Sequence, residues 1–365
     1  MRRRRLDPEV FALPVERLRA GYYSDAYFNY TKAVLEHDDL HPSVLMQVFQ
    51  KQSGVVLGGM DEAIAVLRLS AGSFEEGSGG RRWLPGWDRL RVQALHDGDE
   101  VDAWETVLTV EGDYSLFAHL ETVYLGVLTR RTLVSTNVRR VVQAAAGKSI
   151  LFFPARFDHY RVQTGDGYAA HVAGAIGVST DAQASWWGGK GIGTVPHGLI
   201  AACGGDTVEA ARRFADLYYP EVNVVALVDF RNDCVGTSLA CARALRERLW
   251  GVRLDTAETM VDRALWGRMG RFRPTGVAPE LVREVRRALD AEGFDHVKIV
   301  VSGGFDAEKI RAFEAAGVPA DAYGVGSSLL RGNTDFTADV VMVDGEPCAK
   351  EGREYLPNPR LEPVE

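Results

Sequence analysis

Cysteine is scarce in this chain, with four in 365 residues at positions 203, 234, 241 and 348. None forms a CxxC pair, and none joins a histidine at metal-ligand spacing, which excludes a zinc ribbon or a dithiol redox motif. Reduced, partly buried thiols are expected, as in a cytoplasmic protein, and no resident metal site is expected. No apolar run reaches the roughly 18 residues of a membrane-spanning helix. The N-terminus offers no signal-peptide core, because Arg2–Arg5 lead into Asp7, Glu9 and Glu16. An excess of positive charge is also missing. The chain carries 42 Lys+Arg against 50 Asp+Glu, a net charge of −8, so no global field draws a nucleic-acid backbone. Arg2–Arg5 read as a solvated, frayed terminus in preference to a basic arm. What is present, 46% hydrophobic and 25% charged residues, is the balance of a globular protein and excludes disorder over most of the length.

The length allows two domains. Residues 1–115 have one texture: the aromatic stretch GYYSDAYFNYTK, the apolar run VVLGGMDEAIAVLRL, and a strand, charged turn and strand between Val92 and Val110. They are expected to form a smaller α+β domain. A helix is expected from near Leu116. The tail DVVMVDGEPCAKEGRE reads as two strands about Asp344-Gly345, and residues 335–365 are expected to return and complete the first domain.

Residues 116–334 have another rhythm. Short apolar runs (SILFFPAR, AIGVST, GIGTVP, NVVALVDF, VRLDT, VKIVVSGG and AYGVGSSL) alternate with helical patterns. Such runs read as parallel strands covered on both faces. Seven of them predict an α/β fold, an irregular parallel βα barrel beside the smaller α+β domain. Each run ends in polar or glycine residues: Arg156, Asp181, His197, Asp229, Asp255, Ser302 and Gly326. A core strand needs none of these, and in a parallel barrel all would open on one face.

The motifs at those ends carry specific chemistry. Ser302-Gly303-Gly304 and Gly324-Val325-Gly326 close the last two strands, where βα barrels place a phosphate; the alternative is two plain tight turns. Asp229 and Asp255 could hold ribose hydroxyls or a hydrated Mg²⁺ on a polyphosphate, or merely end strands. His197 is a candidate nucleophile or base, although a lone histidine is more often structural. Arg156 could fork onto a carboxylate or phosphate, or pair with Asp158. Tyr27 could stack on a flat heterocycle or belong to a core. GGKGIG (188–193) lacks the spacing of a phosphate-binding loop.

In their order and spacing, SDAYF, FFPARFDH, GVSTDAQ, GIGTVPHGL, LVDF, VRLDT, VVSGGFD and YGVGSS resemble the nicotinate phosphoribosyltransferase family, in particular its shorter bacterial and archaeal members. The resemblance covers nearly the whole chain. It implies that His197 matches the histidine phosphorylated by ATP, and that Asp229, Arg253 and Asp255 match positions binding the ribose and nicotinate. It likewise implies that Ser302, Gly303, Gly304, Gly324 and Gly326 belong to the 5′-phosphate cradle, and that Tyr27 stacks on the pyridine across a dimer. Arg156 is a looser match near the base and pyrophosphate. The implied reaction makes nicotinate mononucleotide and diphosphate from nicotinate and 5-phosphoribosyl 1-diphosphate, with coupled ATP hydrolysis and substrate-bound Mg²⁺. The implied assembly is a homodimer or larger with shared sites. Some archaeal relatives carry a cysteine-built zinc knuckle at the C-terminus; the tail here holds only Cys348, and no structural zinc is expected. LVDFRND departs from the common pattern, which leaves the role of Asp233 open.

Three other readings remain at this level. Quinolinate phosphoribosyltransferase would need several cations around a dicarboxylate, whereas the strand ends offer Arg156, Arg253 and the loop residue Lys190. A nicotinamide-using relative would place a carboxylate near the base, with Asp166 and Asp181 as candidates. A barrel that binds a phosphorylated metabolite without catalysis is the third.

Overall fold

The computed structural model describes residues 4–77 and 80–365. It divides into two compact units, one of the chain up to Thr136 together with Gly332–Glu365, the other Asn137–Arg331. The division therefore comes at Thr136/Asn137 and Arg331/Gly332, not at 115/116 and 334/335. The reason is the 24-residue helix Glu121–Ala144, whose Tyr124 and Leu128 are fully buried in the core of the first unit.

The first unit is built on a six-stranded sheet centred on strand Ser43–Gln50. Leu108–Asp113 pairs antiparallel on one side of it and Phe336–Val343 on the other. The tail strand turns at Asp344-Gly345, with φ of 51° and 85°, the positive pair that a two-residue hairpin turn demands. Helix Met60–Ser70 covers the sheet's core, burying Met60, Ile64 and Leu67. Arg2 and Arg3 lie outside the described residues, but Arg5 corrects the expectation of a frayed terminus. Its guanidinium pairs with Asp61 at 2.8 Å and donates to the carbonyls of Ala94 and Leu95.

The second unit holds a six-stranded parallel sheet. Its strands are β1 (Ser149–Phe152), β2 (Gly177–Val178), β3 (Val224–Leu227), β4 (Leu249–Leu254), β5 (Lys298–Val301) and β6 (Ala322–Val325), in the order β3-β4-β5-β6-β1-β2. β3 and β6 are buried at every position, which is why these runs are continuously apolar. The seventh expected strand, GIGTVP, makes no regular ladder. It bridges the two edges instead: Ile192 N–H donates to Val178 O (2.8 Å) and Val195 N–H to Val225 O (3.0 Å). The sheet is irregular here and again in the β3–β4 ladder, whose register shifts between Val224 and Val225.

The helices start where short polar side chains cap them. Asp206 accepts from the Glu209 amide, Asp233 from Gly236 and Asp306 from Lys309. Helix Pro279–Ala291 buries Leu281, Val285 and Leu289 on one stripe. Cys234 and Cys241 are buried, while Cys348 is exposed. Among the described residues no helix is long and apolar enough to cross a membrane.

Ile299 sits in the middle of β5 with no exposed surface. Ile299→Ala leaves a cavity between sheet and helices and is expected to cost about 2–5 kcal/mol. A urea midpoint unchanged from that of the parent chain would contradict this packing.

Candidate active site

The carboxyl ends of the parallel strands open into a cavity of about 940 Å³ within the second unit. Arg156, His197, Arg253, Asp255, Ser302, Gly303, Gly304, Gly324 and Gly326 line it; Asp229 lies just behind His197, and Tyr27 belongs to the first unit.

His197 opens the short helix His197–Ala202, directly after Pro196 in extended conformation. Its Nε2 lies 3.0 Å from Asp229 Oδ1. The two differ in exposure, with the imidazole 46% accessible and the carboxylate 7%. Asp229 follows β3, and burial pushes its pKa above the ordinary carboxylate value. The charge and hydrogen bond of His197 pull it back, and Asp255 nearby raises it further. When the imidazole is neutral, its Nε2–H donates to ionised Asp229, which accepts only, and Nδ1 keeps a free lone pair.

Arg253 and Asp255 end β4. Arg253 Nη1 donates to Thr194 Oγ1 (2.9 Å) and Nη2 to Asp255 Oδ2 (3.3 Å), while the Phe153 ring lies 6.0 Å away. Its buried Nε has no hydrogen-bond partner. That donor, in a side chain facing the cavity, is suited to a ligand oxygen. Asp255 Oδ1 accepts from Ser302 Oγ at 2.7 Å, so β4 and β5 present one linked polar set.

The turn after β5 has φ of +88° at Gly303 and +68° at Gly304, conformations that L side chains adopt at a cost. Lys309, one turn on, donates from Nζ to Gly303 O at 3.1 Å and fixes the turn. Gly324 and Gly326 lie under the rings of Phe153 and Phe157. Arg156 is exposed on the rim with its guanidinium over Phe157, 5.4 Å from the ring centroid.

Other candidates fall elsewhere. Tyr27 lies on helix Ala26–His37 and is 59% exposed. Asp181 accepts from the Gly191 amide at 2.8 Å and so shapes the glycine loop, and Asp166 is buried on helix Gln163–Val172; neither lines the cavity. Lys190 is exposed and does not line it either. Asp233 caps its helix and lies 3.7 Å from Arg263, so it acts structurally here. Reading the sequence missed Thr194, Phe153, Glu258 and Lys309. Only Thr194, beside Pro196 at a strand end, carried a local signal.

Comparison with known proteins bears on this geometry. The sequence model of the quinolinate phosphoribosyl transferase N-terminal domain matches residues 25–132. A nicotinate phosphoribosyltransferase of Mycobacterium tuberculosis, pncB1, is 31% identical over 268 residues, covering 71% of this chain and 55% of its own. The crystal structure of a nicotinate-nucleotide pyrophosphorylase from Pyrococcus furiosus superposes with a TM-score of 0.78 at 32% identity, over 96% of this chain and 85% of that one. The chain belongs to the nicotinate phosphoribosyltransferase family. It spans about half the length of the curated relatives it matches. The human nicotinic acid phosphoribosyltransferase shares the fold, with a TM-score of 0.65 at 16% identity over 89% of this chain and 76% of that one.

The His197–Asp229 pair makes a direct prediction. His197→Ala removes the hydrogen bond and charge that lower the Asp229 pKa, so that carboxyl should titrate higher still. A carboxyl ¹³C NMR titration in which Asp229 stays put or moves down would show that the pair is not coupled.

Proposed function

We propose that the chain transfers the phosphoribosyl group of 5-phosphoribosyl 1-diphosphate to nicotinate, giving nicotinate mononucleotide and diphosphate in NAD salvage, with coupled hydrolysis of ATP. The observation that carries this reading is the meeting, in one cavity, of the His197–Asp229 pair, the Arg253–Asp255–Ser302 set and the Gly303-Gly304 turn.

In the transfer the ribose C1–O bond to diphosphate breaks and a C1–N bond to the pyridine nitrogen forms. The sugar becomes oxocarbenium-like between the two events, so the site must stabilise separating charges and needs no strong base. Asp229 and Asp255 favour the cationic sugar. Arg253, which lines the cavity and has only two of its five N–H donors engaged, is assigned to the nicotinate carboxylate, with Arg156 as a second cation on the rim. Gly303 and Gly304, with Ser302, Gly324 and Gly326, cradle the 5′-phosphate.

His197 Nδ1 attacks the γ-phosphorus of ATP, the bond to the bridging oxygen breaks and ADP leaves, while Asp229 holds the Nε2 proton and stabilises the charge that develops on the ring. A phosphoryl group on His197 then changes the affinity of the diphosphate side of the cavity. Water later cleaves the N–P bond and releases phosphate. Among the described residues no group of three or more His, Cys, Asp or Glu could cage a resident metal. The two carboxylates at neighbouring strand ends fit a hydrated Mg²⁺ that arrives with diphosphate or ATP and offsets the charge of the leaving group. Tyr27, exposed in a stripe with Tyr30 and Val34, is assigned to the site of a second copy in a homodimer or larger assembly.

Quinolinate is the second reading, favoured by the N-terminal domain match. Its two carboxylates call for more free cations than this cavity offers: Arg156, Arg331 and an Arg253 already engaged by Asp255 and Thr194. Nicotinamide would call for a carboxylate near the base, and neither Asp166 nor Asp181 lines the cavity.

Purified protein, phosphoribosyl diphosphate, Mg²⁺ and each of the three bases, with and without ATP, provide the test. Nicotinate mononucleotide formed faster with ATP is expected; product from quinolinate alone, indifferent to ATP, would overturn the proposal. His197→Ala should lower ATP hydrolysis about 100-fold or more and leave slow transfer. Arg253→Ala should raise the KM for nicotinate roughly 10- to 100-fold, the loss of a charge-assisted pair. Activity should fall as pH drops through the raised Asp229 pKa, because the protonated acid has lost the negative charge that stabilises a positive imidazole ring.

A further inference from the structure

The glycine turn after β5 is already occupied by a side chain. A Cβ built on Gly304 would clash with Glu258 Oε1 and lie 2.9 Å from its carboxyl carbon. The Glu258 carboxylate therefore occupies the space over the Gly304 Cα, beside the turn that the cradle would present to an anion. Glu258 lines the cavity and is exposed, and among the described residues no hydrogen bond or ion pair within 4 Å holds its carboxylate. What it does feel is Lys309. Burial pulls the Lys309 ammonium below its ordinary pKa, and of the neighbouring charges Glu258 opposes that most strongly, ahead of Asp306, while Arg273 reinforces it. Lys309 Nζ stays on the Gly303 carbonyl and 4.3 Å from the centre of the Phe305 ring. The turn thus carries an untethered carboxylate on the cavity side and, on the carbonyl of Gly303, a half-buried ammonium that is not itself among the lining residues.

We propose that Glu258 is the resident counter-anion of this turn: its carboxylate covers Gly304 in the free chain and is displaced by the phosphate monoester of the substrate, which takes over Lys309 as its cation. The inference rests on reading this turn as the phosphate site of the proposed reaction and adds an exchange step to it. A phosphate monoester carries nearly twice the charge of a carboxylate and three acceptor oxygens, so in the field of one ammonium it displaces a single untethered carboxylate. No covalent change is involved. Glu258 swings into the open cavity, and Lys309, by holding Gly303, acts as a positioning residue for the turn as well as a partner for the phosphate. The chemical class recognised is a sugar phosphate monoester, and the exchange makes affinity a difference between two anions.

Calorimetric titration with ribose 5-phosphate tests the exchange. Glu258→Gln keeps the shape of the side chain and removes the competing charge, so it should bind the probe about fivefold more tightly than the parent chain. Lys309→Met should weaken binding about tenfold, and Lys309→Arg should restore most of it. In turnover, Lys309→Met should raise the KM for the phosphoribosyl donor and leave kcat within about twofold. Binding that is equal or weaker in Glu258→Gln, with the parent chain still binding the probe, would overturn the exchange while leaving the phosphate site standing. No binding by the parent chain or by either variant would overturn the phosphate site itself.

Discussion

Parallel pairing is the constraint from which the rest of the second unit follows. When strands run the same way in one sheet, all their carboxyl ends finish on one side, and residues far apart in sequence become neighbours without further instruction. Asp229, Asp255, Ser302 and Gly326 come from four different strands or the turns just after them. The ladders from β3 through β6 bring them to one rim. Hydrogen bonds then refine what the sheet has gathered: Ser302 fastens Asp255, Asp255 and Thr194 hold Arg253, and Asp229 turns His197.

The same rim shows how a site keeps charge ready for use. Asp229 is withdrawn from water and meets a half-exposed imidazole, so each sets the proton position of the other. Arg253 has two of its five N–H donors committed, and its Nε–H has no partner. Lys309 is half-buried on the Gly303 carbonyl, and the nearby charge of Glu258 partly offsets the cost of its burial. Fully satisfied polar groups rigidify a structure, and groups left part-satisfied mark where a ligand completes the set.

Legibility in the sequence followed physical contrast. Runs such as NVVALVDF and VKIVVSGG break from wholly apolar to polar in one step, and that break located Asp229 and Ser302 before any coordinates. GIGTVP offered the same break, yet its glycines and Pro196 weaken a ladder, and it bridges two edges with single hydrogen bonds. The helix at 121–144 displayed an apolar face but not which core it would enter, so the division between units was misplaced. Glu258 and Lys309 were invisible because their meeting depends on the left-handed turn at Gly303 and Gly304, a conformation that no side-chain pattern announces. Tyr27 could have been core or surface; only packing decides that for an aromatic on a short helix.

The strand Phe336–Val343 lies along one whole edge of Ser43–Gln50, so the sheet near the start of the chain takes a central partner from near its end. During synthesis, residues 137–331 leave the ribosome as one uninterrupted stretch. The earlier sheet meanwhile waits with a row of bare amides and carbonyls on Ser43–Gln50, an open template for pairing with another nascent chain. Order of emergence and order of completion are therefore reversed: the segment translated first is the last to close. A chain that stalls just before residue 336 would contain all of the second unit and a sheet still missing one of its inner strands.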